Sequence, residues 1–163
     1  MARLIAARRT AVVPRGGAFA RLSIEDLAAP ILAACLADAG LSANQVDEVI
    51  LSNVLGAGGN PARRVALAAG LPQNVAGLTT DRQCAGGLDA ILLAKALVDS
   101  GAADIVLAGG VESYSRRPMR LAWIDGPFGA GFRLDLGKVG PGGKVAPGPA
   151  KQHGPHQRIG PKP

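Results

Sequence analysis

Aromatic residues are nearly missing from this chain. Its 163 residues hold three Phe, one Tyr and one Trp, so a core has to be aliphatic, built from Leu, Val, Ile and Ala. No aromatic follows Phe132, which leaves the C-terminal part without the stacking platforms used on single-stranded nucleic acid. Cysteine occurs only as Cys35 and Cys84, too few for the disulfide framework of a small secreted domain. Histidine occurs only as His153 and His156. No stretch approaches the roughly 20 apolar residues of a membrane span. Residues 1–10 carry Arg3, Arg8 and Arg9 without the apolar run of a signal peptide. These absences lead us to expect a cytoplasmic protein with no membrane partner and no nucleic-acid partner.

What is present is uneven. The formal net charge is +6. Residues 1–124 carry 12 Lys and Arg against 10 Asp and Glu, while residues 125–163 carry 6 against 2. That same C-terminal stretch contains 10 Gly and 7 Pro, and beyond Arg133 only Leu134, Leu136, Val139, Val145 and Ile159 are large aliphatics. Such composition buries too little apolar surface to order a chain. The expected organisation is therefore a domain over residues 1–124 and a disordered basic tail over residues 125–163. A basic tail without a recognisable module reads as a solvated segment rather than a nucleic-acid site.

The body alternates strand and helix signals. Residues 4–13 read as a first strand and residues 14–18 as a turn. Ser23 and Asp26 have capping-box spacing ahead of a helix that stops at Gly40, with Pro30 expected to kink or restart it. Cys35 lies on this helix and reads as core filler. Residues 46–55 read as a second strand, with Val49, Ile50 and Leu51 an unbroken apolar run suited to a sheet covered on both faces. The glycines of residues 56–59 match neither a phosphate-binding loop nor a dinucleotide fingerprint. Asn60 as N-cap, Pro61 at the first helical position and Gly70 as stop predict a helix over 61–69. Residues 75–80 read as a third strand and residues 104–108 as a fourth. Strands alternating with helices imply an α/β fold with a mostly parallel sheet.

One stretch stands out, from the third strand through Cys84 into an apolar helix that ends at Gly101. A cysteine at a helix N-terminus faces unpaired backbone N–H groups and the positive end of the helix dipole, and both favour the thiolate nucleophile. The small Ala85, Gly86 and Gly87 would let a substrate approach the sulfur. Between Leu88 and Val98 the only polar residues are Asp89 and Lys95. A helix apolar on most faces belongs in a buried layer.

The segment Asp81-Arg82-Gln83-Cys84-Ala85-Gly86-Gly87-Leu88-Asp89-Ala90 resembles the active-site segment of the thiolase family, Asn-Arg-Gln-Cys-Ala-Ser-Gly-Leu-Gln-Ala. Three further segments match in the same order. Arg9-Thr10 with Gly16, Gly17 and Phe19 resembles the family's N-terminal strand and glycine turn. Asn53-Val54-Leu55-Gly56 with Asn60-Pro61-Ala62-Arg63 resembles its Gly-Asn-Val-Leu…Asn-Pro-Ala-Arg segment. Ala108-Gly109-Gly110-Val111-Glu112-Ser113 resembles Ala-Gly-Gly-Met-Glu-Ser. The resemblance implies the N-terminal half of a layered αβαβα fold and a thiolase-type acyltransferase acting on acyl-CoA or 3-ketoacyl-CoA. Cys84 would be its nucleophile, carrying the acyl group as a thioester. The resemblance implies neither a metal nor a bound cofactor, and coenzyme A thioesters are substrates. The resemblance further implies a homo-oligomer or a complementary thiolase half as partner. The family's activating histidine, in a Gly-His-Pro context, and its second cysteine, in Cys-x-Gly-Gly-Gly, have no counterpart in residues 1–163, and His153 and His156 sit in a different context. The alternative expectation is a truncated or frameshifted thiolase fragment without turnover of its own, able to bind a complementary chain.

Overall fold

The computed structural model describes residues 1–56, 58–118, 120–126 and 129–135. The chain divides into two compact units, Met1–Pro118 and Met119–Pro163.

In the first unit, helices and strands alternate: α1 (Ile24–Ala39), β1 (Glu48–Ser52), α2 (Pro61–Ala68), β2 (Ala76–Thr80), α3 (Gly86–Ser100) and β3 (Val106–Gly110). The three strands form a parallel sheet in the order β2-β1-β3. Glu48 pairs with Ala76 on one side and Val106 on the other, and Ser52 with Thr80 and Gly110. The α/β class and the parallel sheet are as expected. Strand alternation then divides β1 between two layers. Val49 and Leu51 pack with Leu32 and Leu36 of α1 and with Ala62, Val65 and Ala66 of α2. Ile50 points the other way, onto Ala90 and Ala94 of α3.

Local chemistry explains where the helices begin and end. The Ser23 hydroxyl accepts from the Asp26 amide at 3.1 Å, and the Asp26 carboxylate accepts from the Ser23 amide at 2.8 Å, completing the expected capping box. Gly40 ends α1 in the left-handed conformation, φ 65°. That helix runs through Pro30 as one element. Pro30 is exposed, so the Asp26 carbonyl that loses its partner can turn to water. The Asn60 side chain caps α2, accepting from Arg63 N at 3.2 Å, with Pro61 at the first position.

Two expectations need correction. Residues 4–13 are not a strand. Leu4 and Val12 are 82% and 90% exposed. A strand exists only through the ladder of a neighbour, and among the described residues none pairs with this segment. The boundaries of two strands also shift: β1 stops at Ser52 rather than Leu55, and β3 starts at Val106 rather than Asp104. Helix α3, apolar on most faces, is covered on one face alone. Gly86, Ala90 and Ala94 are covered, whereas Leu88, Ile91 and Leu92 are 63%, 45% and 54% exposed. The sheet covers one face, and no described layer covers the other.

The second unit contains an antiparallel pair, β4 (Arg120–Gly126) and β5 (Gly129–Asp135), with Trp123 opposite Phe132. The sequence places the end of the body at residue 124 and a disordered tail from residue 125, but strand pairing continues to Asp135. Averaged over the whole tail, the Gly and Pro content hides a local run, GAGFRLD, that pairs with RLAWIDG. The rest of the expected tail, residues 136–163 with His153 and His156, lies outside the described residues.

Candidate active site around Cys84

Parallel sheets gather their functional loops beyond the C-terminal ends of the strands. All the motif segments singled out in the sequence, apart from the N-terminal one, converge on that edge. Beyond β2 the chain passes through residues 81–82 into a 3₁₀ turn, Gln83–Ala85, and then into α3. Cys84 sits in this turn as a free, exposed thiol. Gln83 beside it holds φ at 49°, the one positive value among the described non-glycine residues, a conformation that costs roughly 1–3 kcal/mol. Asp81 stabilises the bend. Its Oδ1 accepts from the Gln83 amide at 2.9 Å and faces Gln83 Nε2 at 3.3 Å. Arg82 then pairs with Asp89 in the first turn of α3, Nε to Oδ1 at 3.1 Å.

The glycines after the cysteine also have a packing role. A Cβ on Gly86 would lie 1.8 Å from Ser52 Oγ. Gly86 is buried because α3 begins directly on the last residue of β1. Gly87 Cα in turn lies 3.5 Å from the position of a Cβ on Gly110. Small residues thus seat the helix start on β1 and β3.

Two further side chains bind the strand ends together. Asn53 is 6% exposed. Its backbone N–H donates to Thr80 O at 3.1 Å, and its Nδ2 donates to Val111 O at 2.9 Å and to Glu112 Oε1 at 3.2 Å. Its Oδ1 accepts from the Gly56 amide at 2.9 Å. The exposed Glu112 side chain reaches across from the end of β3. Its Oε2 accepts from the amides of Val54 and Leu55, both at 3.0 Å, and its Oε1 also accepts from the Ser113 amide at 3.2 Å. Sequence reasoning placed both residues in motif segments but gave them no role. Their signal was their position, one or two residues beyond the ends of adjacent strands.

A cleft of about 270 Å³ lies elsewhere, between residues 10–15 and 112–115, where Arg15 and Arg117 flank the Tyr114 ring with their guanidinium carbons 5.8 and 4.9 Å from its centre. Cys84 is not among its lining residues. Cys35 is half-buried on α1, well removed in sequence from the turn. Among the described residues no three His, Cys, Asp or Glu side chains group as a metal site. No helix among them is long and apolar enough to cross a membrane.

A parallel α/β layer with an exposed cysteine in a strained turn, where a strand hands over to a helix, defines a class of α/β protein organised around its strand ends. The family model described as thiolase, N-terminal domain, matches residues 2–127, and the chain belongs to the thiolase family. It is 43% identical over 117 residues to an acetyl-CoA acetyltransferase of Cupriavidus necator, covering 71% of this chain and 30% of that protein. The crystal structure of the Bacillus anthracis acetyl-CoA acetyltransferase superposes with a TM-score of 0.65 at 39% identity, covering 66% of this chain and 28% of that one. The chain thus spans about 30% of the length of the curated relative it matches.

Proposed function

We propose that this chain carries the acyl-accepting part of a thiolase-type acyltransferase, with Cys84 as nucleophile. The observation that supports it most is the exposed Cys84 thiol in a bent turn between β2 and α3, in a chain whose relatives include acetyl-CoA acetyltransferases. The Cys84 sulfur attacks the thioester carbonyl of an acyl-CoA, the bond from carbonyl carbon to coenzyme A sulfur breaks, and coenzyme A leaves as its thiol with the proton the cysteine gave up. With a 3-ketoacyl-CoA the bond broken is C2–C3, and acetyl-CoA leaves after protonation of its carbanion. The acyl group then passes from Cys84 to coenzyme A or to a second acetyl-CoA. Coenzyme A enters as a substrate carrier and no metal takes part. The test is a single-turnover burst with acetyl-CoA. Release of about one free coenzyme A thiol per chain, lost in Cys84→Ala, is expected; no release from folded wild-type chain would contradict the reading.

The bare face of α3 favours a second reading beside the first. Leu88, Ile91 and Leu92 form an apolar stripe on the helix that begins just after Cys84, and exposed stripes of this kind mark surfaces that another layer covers. In this reading the chain has no turnover alone and acts once a complementary thiolase half, or a second copy, covers α3. Mixing the chain with the remaining part of a thiolase relative distinguishes the two: activity only in the mixture supports complementation, and equal activity with and without it overturns this second reading.

A further inference from the structure

We infer that Asn53 and Glu112 are positioning residues for Cys84, forming a brace that holds in place the surface on which the cysteine turn rests. The inference builds on the acyl-enzyme reading above. The turn has two supports. On one side β2 ends at Thr80, just before Asp81, and the Thr80 carbonyl is fixed by the Asn53 amide at 3.1 Å. On the other side α3 begins at Gly86 and Gly87, which lie on Ser52 and Gly110 with no room for a Cβ at Gly86. Ser52 and Gly110 are the last residues of β1 and β3. The brace joins the residues immediately beyond them. Ser52 O accepts from Val111 N at 3.0 Å, Val111 O accepts from Asn53 Nδ2 at 2.9 Å, and the Glu112 carboxylate gathers Asn53 Nδ2 with the amides of Val54, Leu55 and Ser113.

The chemistry of the acceptor matters here. Four N–H groups converge on two oxygens, an arrangement that suits a carboxylate, which is acceptor-only when ionised. A carboxamide in its place has one acceptor oxygen and would turn an NH₂ group toward two of those donors. Asn53 is needed as both donor and acceptor, since Nδ2 holds the end of β3 while Oδ1 holds the Gly56 amide. Neither residue is expected to touch the acyl group. Their effect reaches the reaction through the floor beneath Cys84, where a displacement of about 1 Å can lower a rate about a hundredfold.

The test compares two reactions of Cys84 in the full-length chain, in wild type, Asn53→Ala and Glu112→Gln, under conditions where circular dichroism shows each to be folded. Acylation by acetyl-CoA requires a placed carbonyl; alkylation by iodoacetamide requires only an accessible thiol. The expected result is a fall in acylation rate of about ten- to a hundredfold in both variants, with alkylation changed less than about twofold. Equal falls in both reactions would mean that the substitutions only loosen the structure, and no fall in either would remove the role outright. Lack of any acyl adduct on the wild type would overturn the acyl-enzyme reading and this role together, whereas an adduct whose rate ignores both substitutions overturns this role alone. Amide hydrogen exchange on the wild type serves as a check that needs no variant: Val54 and Leu55 should exchange slowly, and exchange at unprotected rates would refute the brace.

Discussion

The two faces of the sheet differ in how far they are closed. On one side α1 and α2 bury Val49 and Leu51 of β1 beneath Leu32, Leu36, Val65 and Ala66, all of them buried in turn. On the other, α3 meets Ile50 only through Ala90 and Ala94, with Leu97, Val106 and Ala108 partly covered around them. Leu32, Leu36 and Val65 lie inside on the first face, whereas Leu88, Ile91 and Leu92 of α3 are exposed on the second. The difference separates two tasks. The α1–α2 face provides stability, and the α3 face offers small residues to the sheet so that the start of the helix can sit tightly beside the cysteine turn.

The largest expected effect lies on the closed face. Leu32→Ala should lower unfolding free energy by about 2–5 kcal/mol, as cavities in packed cores do, measured by urea denaturation. Next comes the helix seat. Gly86→Ala forces a methyl group against Ser52, 1.8 Å from its Oγ, and should cost about 1–3 kcal/mol through overpacking. The companion change Ser52→Gly should recover part of that loss in a double-mutant cycle, and a fully additive cycle would show that the two residues do not share the strain.

A smaller effect belongs to the opposite end of the sheet. Asp47 Oδ2 accepts from the amides of Ile105 at 2.9 Å and Asp104 at 2.7 Å, joining the approach to β1 with that to β3. These two amides, Ile105 first, hold its carboxyl below the usual carboxylate range. A lowered folded value means that the contribution is present above the unfolded pKa of about 4 and is lost as pH falls through the folded value. Thermal melts of the wild type should therefore weaken below about pH 4, and Asp47→Asn should show a shallower acid limb. Asp26, Asp38 and Asp99 are lowered likewise, by Ser23, Arg8 and Lys95 respectively, and act on acid stability with the same sign. An unchanged acid limb in Asp47→Asn would remove Asp47 from this account. The smallest effect is expected on the open face: Leu92→Ala should stay within about 0.5 kcal/mol in the isolated chain. A cost as large as that of Leu32→Ala would show that the α3 face is already covered and would break the comparison.

Legibility in the sequence followed how local the governing physics is. The Ser23 capping box, the Asn60–Pro61 helix start and the Gly40 and Gly101 stops were readable because each depends on groups a few residues apart. The strand expected over residues 4–13 failed because a strand is defined by its neighbour, and the segment's own residues say nothing about whether one is present. The apolar circumference of α3 calls for two covering layers, yet which layer is present cannot be seen from the helix itself. Cys84 stood out through its flanking motif. The left-handed Gln83 arises from the turn's backbone. The packing role of Gly86 and the joining of Asn53 to Glu112 arise from contacts between segments far apart in the chain. Side-chain patterning records neither kind of information.

The central claim concerns one sulfur atom, and the chain contains its own control. Cys35 is a half-buried thiol on α1, and Cys84 is the exposed thiol of the turn. Incubation with acetyl-CoA followed by peptide mapping in a mass spectrometer tests the claim most directly. The account predicts an acetyl thioester on the peptide containing Cys84, sensitive to hydroxylamine and missing from Cys84→Ala, with Cys35 unmodified. Acetylation of both cysteines alike, or of neither in the folded chain, would contradict it.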